Sequence, residues 1–419
     1  MGGGSPGPYS KPPHPWENLL TKFHDPRREI EVLRDHLACH DKPLALLLGA
    51  GASFAATDVE GKPLIPNLEQ LGEQCQVAVA RLGKKSERAY DAISDELRTS
   101  QNRDPNIEDI LSSVRGKLAA LDPEKDKLAG LNRAEMAKVE EAIRKTIAIA
   151  VHPDETQISY PLPHEALASW INSIERRHAV ELFTTNYDTL IERALERSRV
   201  PLFDGFVGSR EPYFEPATLA RESEAPGKRW SRLWKIHGSI NWHRSEQPSE
   251  RIIRTDESSS GELIYPSLHK YEESRKQPFV AMLQRLSDVL HHREETVLIT
   301  LGYGWGDQHI NAIIFEALAA RDRTHVIALM FDEVEDDQEP VKRGLHNLSV
   351  LTPKTAVIGG VRGHWRLLEP VDKKTADLLD VPFDSDAQEG DEPALTGRMR
   401  LGDFVWFARF LKEIAAYDE

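Results

Sequence analysis

Residues 44–53, LALLLGAGAS, constrain this chain more than any other stretch. A short apolar run closed by glycine is the pattern of a strand buried on both faces, and such strands belong to parallel sheets covered by helices. The chain must turn at Gly49. Gly49 and Gly51 have no Cβ, so their backbone can take positive φ and present N–H groups to a diphosphate at the start of a helix. A tight strand-to-helix turn without a ligand uses the same residues, and a short Gly-Ala-Gly pattern does not by itself choose between the two.

Three later stretches repeat this arrangement. Within residues 179–188, AVELFTTNYD, an apolar strand gives way to Thr185, Asn186 and Asp188, and Leu190, Ile191, Ala194 and Leu195 then follow a helical period. The strand at residues 233–236 ends in His237, Gly238 and Ser239. The strand in TVLITLGYG, residues 296–304, ends in Gly302, Tyr303 and Gly304, after which Asp307 is placed to cap a helix with an apolar stripe of Ile310, Ile313, Ile314 and Leu318. In open α/β sheets ligands bind at the C-terminal ends of the strands. Taken singly, Asn186 and Asp188 read as helix caps and His237 as a structural hydrogen-bonding residue. Taken together, polar strand ends of one sheet converge on one cleft.

Around this core, residues 1–15 are rich in Gly and Pro and read as a flexible arm. Between residues 16 and 40, Leu19, Leu20, Phe23, Ile30, Leu33 and Leu37 recur at helical spacings and predict one or two helices. Asn67 with Gln70 resembles a helix N-cap and its reciprocal partner, opening a helical insertion over about residues 68–151. That insertion contains PNIEDIL, where Asn106 can cap a helix carrying Ile107, Ile110 and Leu111. Residues 201–230 and 244–260 read as loop excursions, and residues 324–331 and 355–360 as further strands. The main domain thus spans residues 16–370. Residues 371–419 form an extension, with an acidic linker at 384–393 and an amphipathic helix carrying Phe404, Phe407, Leu411 and Ile414, which docks on the core or meets another chain.

The chain has 53 Lys and Arg against 68 Asp and Glu, a net charge of -15, so no global positive field draws it to nucleic acid. Cys39 and Cys75, its 2 cysteines, are too few for a four-thiolate zinc site and fit a reducing cytoplasm. No apolar stretch approaches the roughly 20 residues that span a bilayer.

The motifs GAGAS, TTNYD, KIHGS and LGYG, in this order, resemble the NAD-binding core of the sirtuins over about residues 44–331. The resemblance implies a Rossmann-type, mostly parallel sheet with a helical module. It implies that Gly49, Ala50, Gly51 and Ser53 lie against the dinucleotide's phosphates. Asn186 and Asp188, with Thr185 beside them, match the sirtuin Asn-x-Asp near the nicotinamide ribose, and His237 matches the catalytic histidine. Gly302 and Tyr303 stand where sirtuins use a Gly-Thr-Ser turn at the adenosine side, so Tyr303 departs from the pattern.

Protein-deacylating sirtuins carry two pairs of zinc-binding cysteines, and this chain has neither pair. TTNYDTLIE, the IYPS-x-x-KY stretch at residues 264–271, LGYGWGDQHI and the insertion with PNIEDIL are instead similar to the bacterial sirtuin-like NADases of antiphage defence. Some of those work beside a HerA-type hexameric ATPase. The resemblance implies hydrolysis of NAD+ as a substrate and a HerA-type partner; the two separated cysteines imply no bound metal and a cytoplasmic setting, and the flexible arm, the charged insertion and the terminal helix, which exceed a minimal NAD-binding core, imply a homo-oligomer. A protein deacylase and a module that senses NAD or ADP-ribose without turnover remain alternatives.

Overall fold

A 10-stranded sheet runs through the molecule. In chain order its strands are β1 (Phe23–His24), β2 (Leu44–Leu48), β3 (Glu181–Thr184), β4 (Leu202–Phe203), β5 (Ser231–Lys235), β6 (Thr296–Leu301), β7 (Thr324–Leu329), β8 (Leu348–Leu351), β9 (Thr355–Ile358) and β10 (Val361–Trp365). In space they lie in the order β1-β10-β9-β8-β7-β6-β2-β3-β5-β4. From β8 to β4 every neighbouring pair is parallel, and β9 runs antiparallel to both β8 and β10. The computed structural model describes residues 22–101, 104–122, 127–153, 156–245, 251–255, 262–263, 277–292, 294–369, 379–385 and 395–417. The fold is α/β, a Rossmann-type sheet with a helical module. From β2 the chain moves outward through β3 to the edge strand β4, turns back to β5, then crosses β2 to β6, so the topological switch point lies between β2 and β6.

Alternation along the strands explains why both faces are covered. Leu44, Leu46 and Leu48 of β2 point into one core, shared with Ile30, Leu33 and Leu37 of α1 (Pro26–Ala38). Ala45 and Leu47 point into the other, shared with Met282 and Leu286 of α9 (Phe279–Leu290) and Ile310 and Ile314 of α10 (Gln308–Ala320). Each such Leu or Ile, fully removed from water, contributes about 1.5–3 kcal/mol.

Between β2 and β3 run α2 (Ala50–Phe54), α3 (Leu68–Ala80), α4 (Lys84–Gln101), α5 (Ile107–Ala120), α6 (Arg133–Ala150) and α7 (Pro163–Ser173). Helices α3, α5 and α6 each begin with a capping box, formed by Asn67 with Gln70, Asn106 with Asp109 and Asn132 with Glu135. Their apolar faces and that of α4 enclose a third core around Cys75, Ile93, Leu111, Val139 and Ile143. Beyond β3 comes α8 (Leu190–Arg197), and the chain closes with α11 (Phe404–Tyr417).

Several sequence expectations are corrected. Phe23 is not helical: Phe23 and His24 pair with His364 and Trp365 at the sheet edge, and a two-residue strand carries no period by which to be read. The expected loop at 201–230 contains β4 and the strands Phe206–Val207 and Tyr213–Phe214. The expected loop at 244–260 contains the strand Arg251–Arg254, which pairs with Trp242–Ser245 and Tyr213 to make a small antiparallel sheet. Strands β8 and β10 were not anticipated, because β8 follows a charged loop and Arg362 and His364 interrupt β10. Asp384 belongs to the strand Phe383–Ser385, paired with Gly397–Met399, and the rest of the acidic stretch lies outside the described residues, as do residues 1–15 and 264–271. Phe404, Phe407, Phe410, Leu411 and Ile414 of α11 are buried in the sheet core.

The contact at the switch point is backbone on backbone. A Cβ on Gly49 would lie 2.3 Å from the Gly302 carbonyl oxygen, and one on Gly302, whose φ is +64°, would lie 2.6 Å from the Ala52 nitrogen. Gly302→Ala therefore meets both left-handed strain and overpacking and should cost about 2–5 kcal/mol. Gly304→Ala, with nothing within 4 Å, is the control and should change stability by about 0.5 kcal/mol or less. Urea unfolding of the two variants checks this.

Candidate active site

Strand register brings the motif residues to one edge. Leu301, Leu48, Thr184 and Lys235 are Cα partners across β6, β2, β3 and β5, so Gly302, Gly49, Thr185 and Ile236 leave the sheet side by side. Hydrogen bonding continues past the strands: Gly49 N–H donates to the Leu301 carbonyl at 3.0 Å, Gly51 N–H to the Gly302 carbonyl at 3.1 Å, and Thr185 N–H to the Leu48 carbonyl at 3.2 Å. The glycines answer first to this close approach of two chain turns.

Asn186 is fixed from two sides. Its N–H donates to Thr184 Oγ1 at 3.0 Å and its Nδ2 to the Gly49 carbonyl at 2.8 Å. Oδ1 takes no hydrogen bond among the described residues, leaving a carbonyl acceptor beside the glycine turn. Ser53 Oγ donates to Asp188 Oδ2 at 2.5 Å, and Leu190 N–H donates to Asp188 Oδ1 at 3.0 Å, tying α2 to the start of α8. The loop between them is held by the buried Lys235, whose ammonium donates to the Asp188 and Tyr187 carbonyls and, at 2.8 Å, to Glu192 Oε1. Burial raises the Glu192 carboxyl above its ordinary range, against the opposing pull of Lys235.

His237 is also anchored. Its Nε2 lies 2.9 Å from Asp307 Oδ2. Asp307 Oδ1 in turn accepts from His309 N–H at 2.8 Å and Ile310 N–H at 3.3 Å, capping α10. Tyr303 is buried; its hydroxyl donates to Asn311 Oδ1 at 2.8 Å and lies 3.3 Å from the Asp307 carbonyl, and burial pushes the phenol pKa up. Asn311 Nδ2 holds the Trp305 carbonyl at 2.7 Å, stabilising a residue whose φ is +54°. Tyr187 bridges the two halves: its ring centroid is 6.3 Å from that of His237, and its carbonyl accepts from Ile240 N–H at 3.1 Å. Gly49, Gly51, Ser53, Asn186, Asp188, His237, Gly302 and Tyr303 thus belong to one connected rim. Ala50, exposed, opens α2 on that rim.

Sequence reasoning missed three neighbours. Asp307 was read only as a cap. Glu108, from PNIEDIL on α5, reads from sequence only as one more charge on the insertion's solvated face, yet its Oε1 lies 3.4 Å from the Tyr187 hydroxyl. His164 on α7 carried no signal, since nothing in its local pattern distinguishes a core histidine. It is buried with its ring 4.7 Å from that of Phe404, it hydrogen-bonds the Ala52 backbone, and its Nδ1 has no partner among the described residues. Burial lowers its pKa to about 4, against the opposing charge of Asp188.

Among the described residues no group of three or more His, Cys, Asp or Glu is arranged to hold a metal ion, and no helix is long and apolar enough to cross a membrane. Cys39 and Cys75 are free thiols, and burial pushes Cys75 up to about 12. Residues 180–350 match the family model for the SIR2-like domain, whose members are as a rule NAD-dependent enzymes. The match includes Asn186, Asp188, His237, Gly302, Tyr303 and Asp307, begins after the glycine turn at 49–51, and ties this stretch to NAD-related chemistry. No curated protein matches the chain.

His164 makes stability depend on pH in one direction. In the unfolded chain a histidine protonates near pH 6.5, whereas in the fold His164 resists until about pH 4. Its contribution is therefore whole above about 6.5 and is lost as pH falls through that window. A tenfold difference in proton affinity is worth about 1.4 kcal/mol, so the loss runs to a few kcal/mol. His164→Gln should flatten the stability profile between pH 7 and 4.5, as read by urea unfolding.

Proposed function

We infer that the protein is an NAD+ glycohydrolase that cleaves the nicotinamide–ribose bond to give nicotinamide and ADP-ribose. The observation that supports this reading best is a pair of anchored polar side chains at the switch-point edge. Asn186 keeps Oδ1 and His237 keeps Nδ1 without a hydrogen bond among the described residues. The glycine turn beside them supports a dinucleotide by setting the start of α2 at the same strand edge, with Gly49 and Gly51 N–H themselves taken up by the Leu301 and Gly302 carbonyls.

The pyridinium of NAD+ leaves as neutral nicotinamide, so the departing group needs no proton. The residues have only to place and activate a water molecule. Asn186 Oδ1 accepts a hydrogen bond from one O–H of the water, which keeps that proton, and fixes its position, which makes the attack effectively unimolecular. His237 Nδ1 removes the other as the C–O bond forms at the ribose and the C–N electron pair returns to nicotinamide. Asp188, held by Ser53, keeps the Asn186 loop in register.

The biological setting this reading carries is depletion of NAD+ as an effector of antiphage defence in the cytoplasm. The assembly is a homo-oligomer that docks on a HerA-type hexameric ATPase, and the exposed Val77, Leu82 and Ile149 of the helical module support an association surface there. Light scattering should give a mass above the monomer; a monomer alone and with the ATPase would remove the assembly.

Asn186→Ala and His237→Ala should each lower nicotinamide release by about 10²–10⁴-fold, with Asn186→Ala at least as damaging. Both side chains are buried and hydrogen-bonded, so each variant should lose some stability, and release is compared at a temperature where circular dichroism shows both variants folded. Near-parental release from either variant refutes the roles. NAD+ loss that requires an acyl-lysine peptide would mark a deacylase, and saturable NAD+ binding without nicotinamide release would mark a sensor.

A further inference from the structure

We propose that Asp307 is a positioning residue that locks His237 in the Nε2–H tautomer, so that Nδ1 is the ring atom able to take a proton. The proposal rests on the hydrolytic reading above for its effect on rate, but not for the tautomer itself.

A neutral imidazole has one donor and one acceptor nitrogen, and the hydrogen bond made by one decides the role of the other. His237 Nε2 faces Asp307 Oδ2 at 2.9 Å, and an ionised carboxylate only accepts. Nε2 must therefore carry the proton, and Nδ1 is left as the acceptor. Both partners are buried, with side chains 6% and 4% exposed, so water does not compete for the bond. The carboxylate is fixed as well, because Oδ1 accepts from the His309 and Ile310 N–H groups and is committed to the start of α10. One residue thus couples two jobs, capping the helix after β6 with one oxygen and setting the histidine after β5 with the other.

Asp307→Asn separates these jobs. Asparagine caps a helix as well as aspartate does, so Oδ1 and the α10 start are retained. The new amide then offers Nε2 a donor, the ring proton moves to Nδ1, and Nδ1 becomes a donor pointing its proton at the water it should deprotonate. In the serine-protease triad the same change lowers kcat by about 10⁴ through the wrong tautomer. Here kcat should fall by about 10²–10⁴-fold while KM for NAD+ stays within about threefold and the melting temperature is retained. Combined with His237→Gln, Asp307→Asn should add nothing beyond about a factor of two, because a group that acts through the histidine has no effect once the histidine is gone. Asp307→Ser, which keeps the cap but has no second oxygen, serves if the asparagine variant does not fold.

The tautomer is read directly by NMR of ¹⁵N-histidine-labelled protein above neutrality, with the His237 signals assigned by their loss in His237→Gln. Nε2–H in the parent and Nδ1–H in Asp307→Asn support the lock whether or not the parent hydrolyses NAD+. An inactive parent therefore removes the hydrolytic reading and leaves the tautomer result to decide this one. Nδ1–H in the parent, an unchanged tautomer in the variant, undiminished kcat, or activity lost only through KM or the fold overturns it.

Discussion

Two parallel strands end side by side, and their turns pass within backbone contact of each other. Gly49 and Gly51 rest against Gly302, with the sheet's hydrogen bonding carried into the turns by the Leu301 and Gly302 carbonyls. Any Cβ in this contact would have to share space with backbone atoms, which cannot yield as a flexible side chain can. The rest of the site follows from that proximity. Because β2 stops and turns at Gly49, its carbonyl is open to Asn186 on the neighbouring strand, and Ser53 comes round within 2.5 Å of Asp188. These glycines are therefore required by the fold itself.

The loop that carries Asn186 is held by electrostatics. Lys235 is 2% exposed and directs its ammonium at two main-chain carbonyls and Glu192. A buried ion pair is a weak source of net stability, since desolvation offsets most of its attraction. What it does here is geometric. The Tyr187 and Asp188 carbonyls, which helix α8 cannot satisfy, find a donor on the adjacent strand, so the loop has one conformation in which its polar groups are paired. Replacing Lys235 by an apolar residue would take this donor from the Asp188 carbonyl and Glu192, while the Tyr187 carbonyl would keep Ile240 N–H.

The strand ends were legible in the sequence because their signals are local: an apolar run, a stop and a polar residue lie within ten residues of one another, as in LALLLGAGAS and AVELFTTNYD. The capping box at Asn67 and the N-cap at Asn106 were legible for the same reason, though not the reciprocal bond from Asp109. Pairings across the fold were not. Asp307 lies 70 residues beyond His237 and already had a sufficient role as a helix cap. His164 occupies an apolar helix face where burial alone explains it. The edge strands β1 and β4 have two residues each, too few to show alternation, and form because the sheet edge offers unpaired groups to whatever chain lies against it. The aromatic stripe of α11 was legible as a stripe, but its destination was not, since the same spacing serves a core or a partner.

The helical module is continuous with the site rather than appended to it. Its core takes in Tyr187, Leu190 and Ile240, which stand next to Asn186, Asp188 and Ser239 in the chain. The Tyr187 hydroxyl meets Glu108 at 3.4 Å, at the long end of hydrogen bonding, while its carbonyl is fixed by Ile240 and Lys235. The Tyr187 main chain is therefore held from the sheet while its side chain reaches α5. Apolar burial of Leu190 and Ile240 in the module's core opposes separation of the module from the sheet. The backbone that carries Asn186 and Asp188 is thus packed against the module on one side and hydrogen-bonded to Lys235 of the sheet on the other.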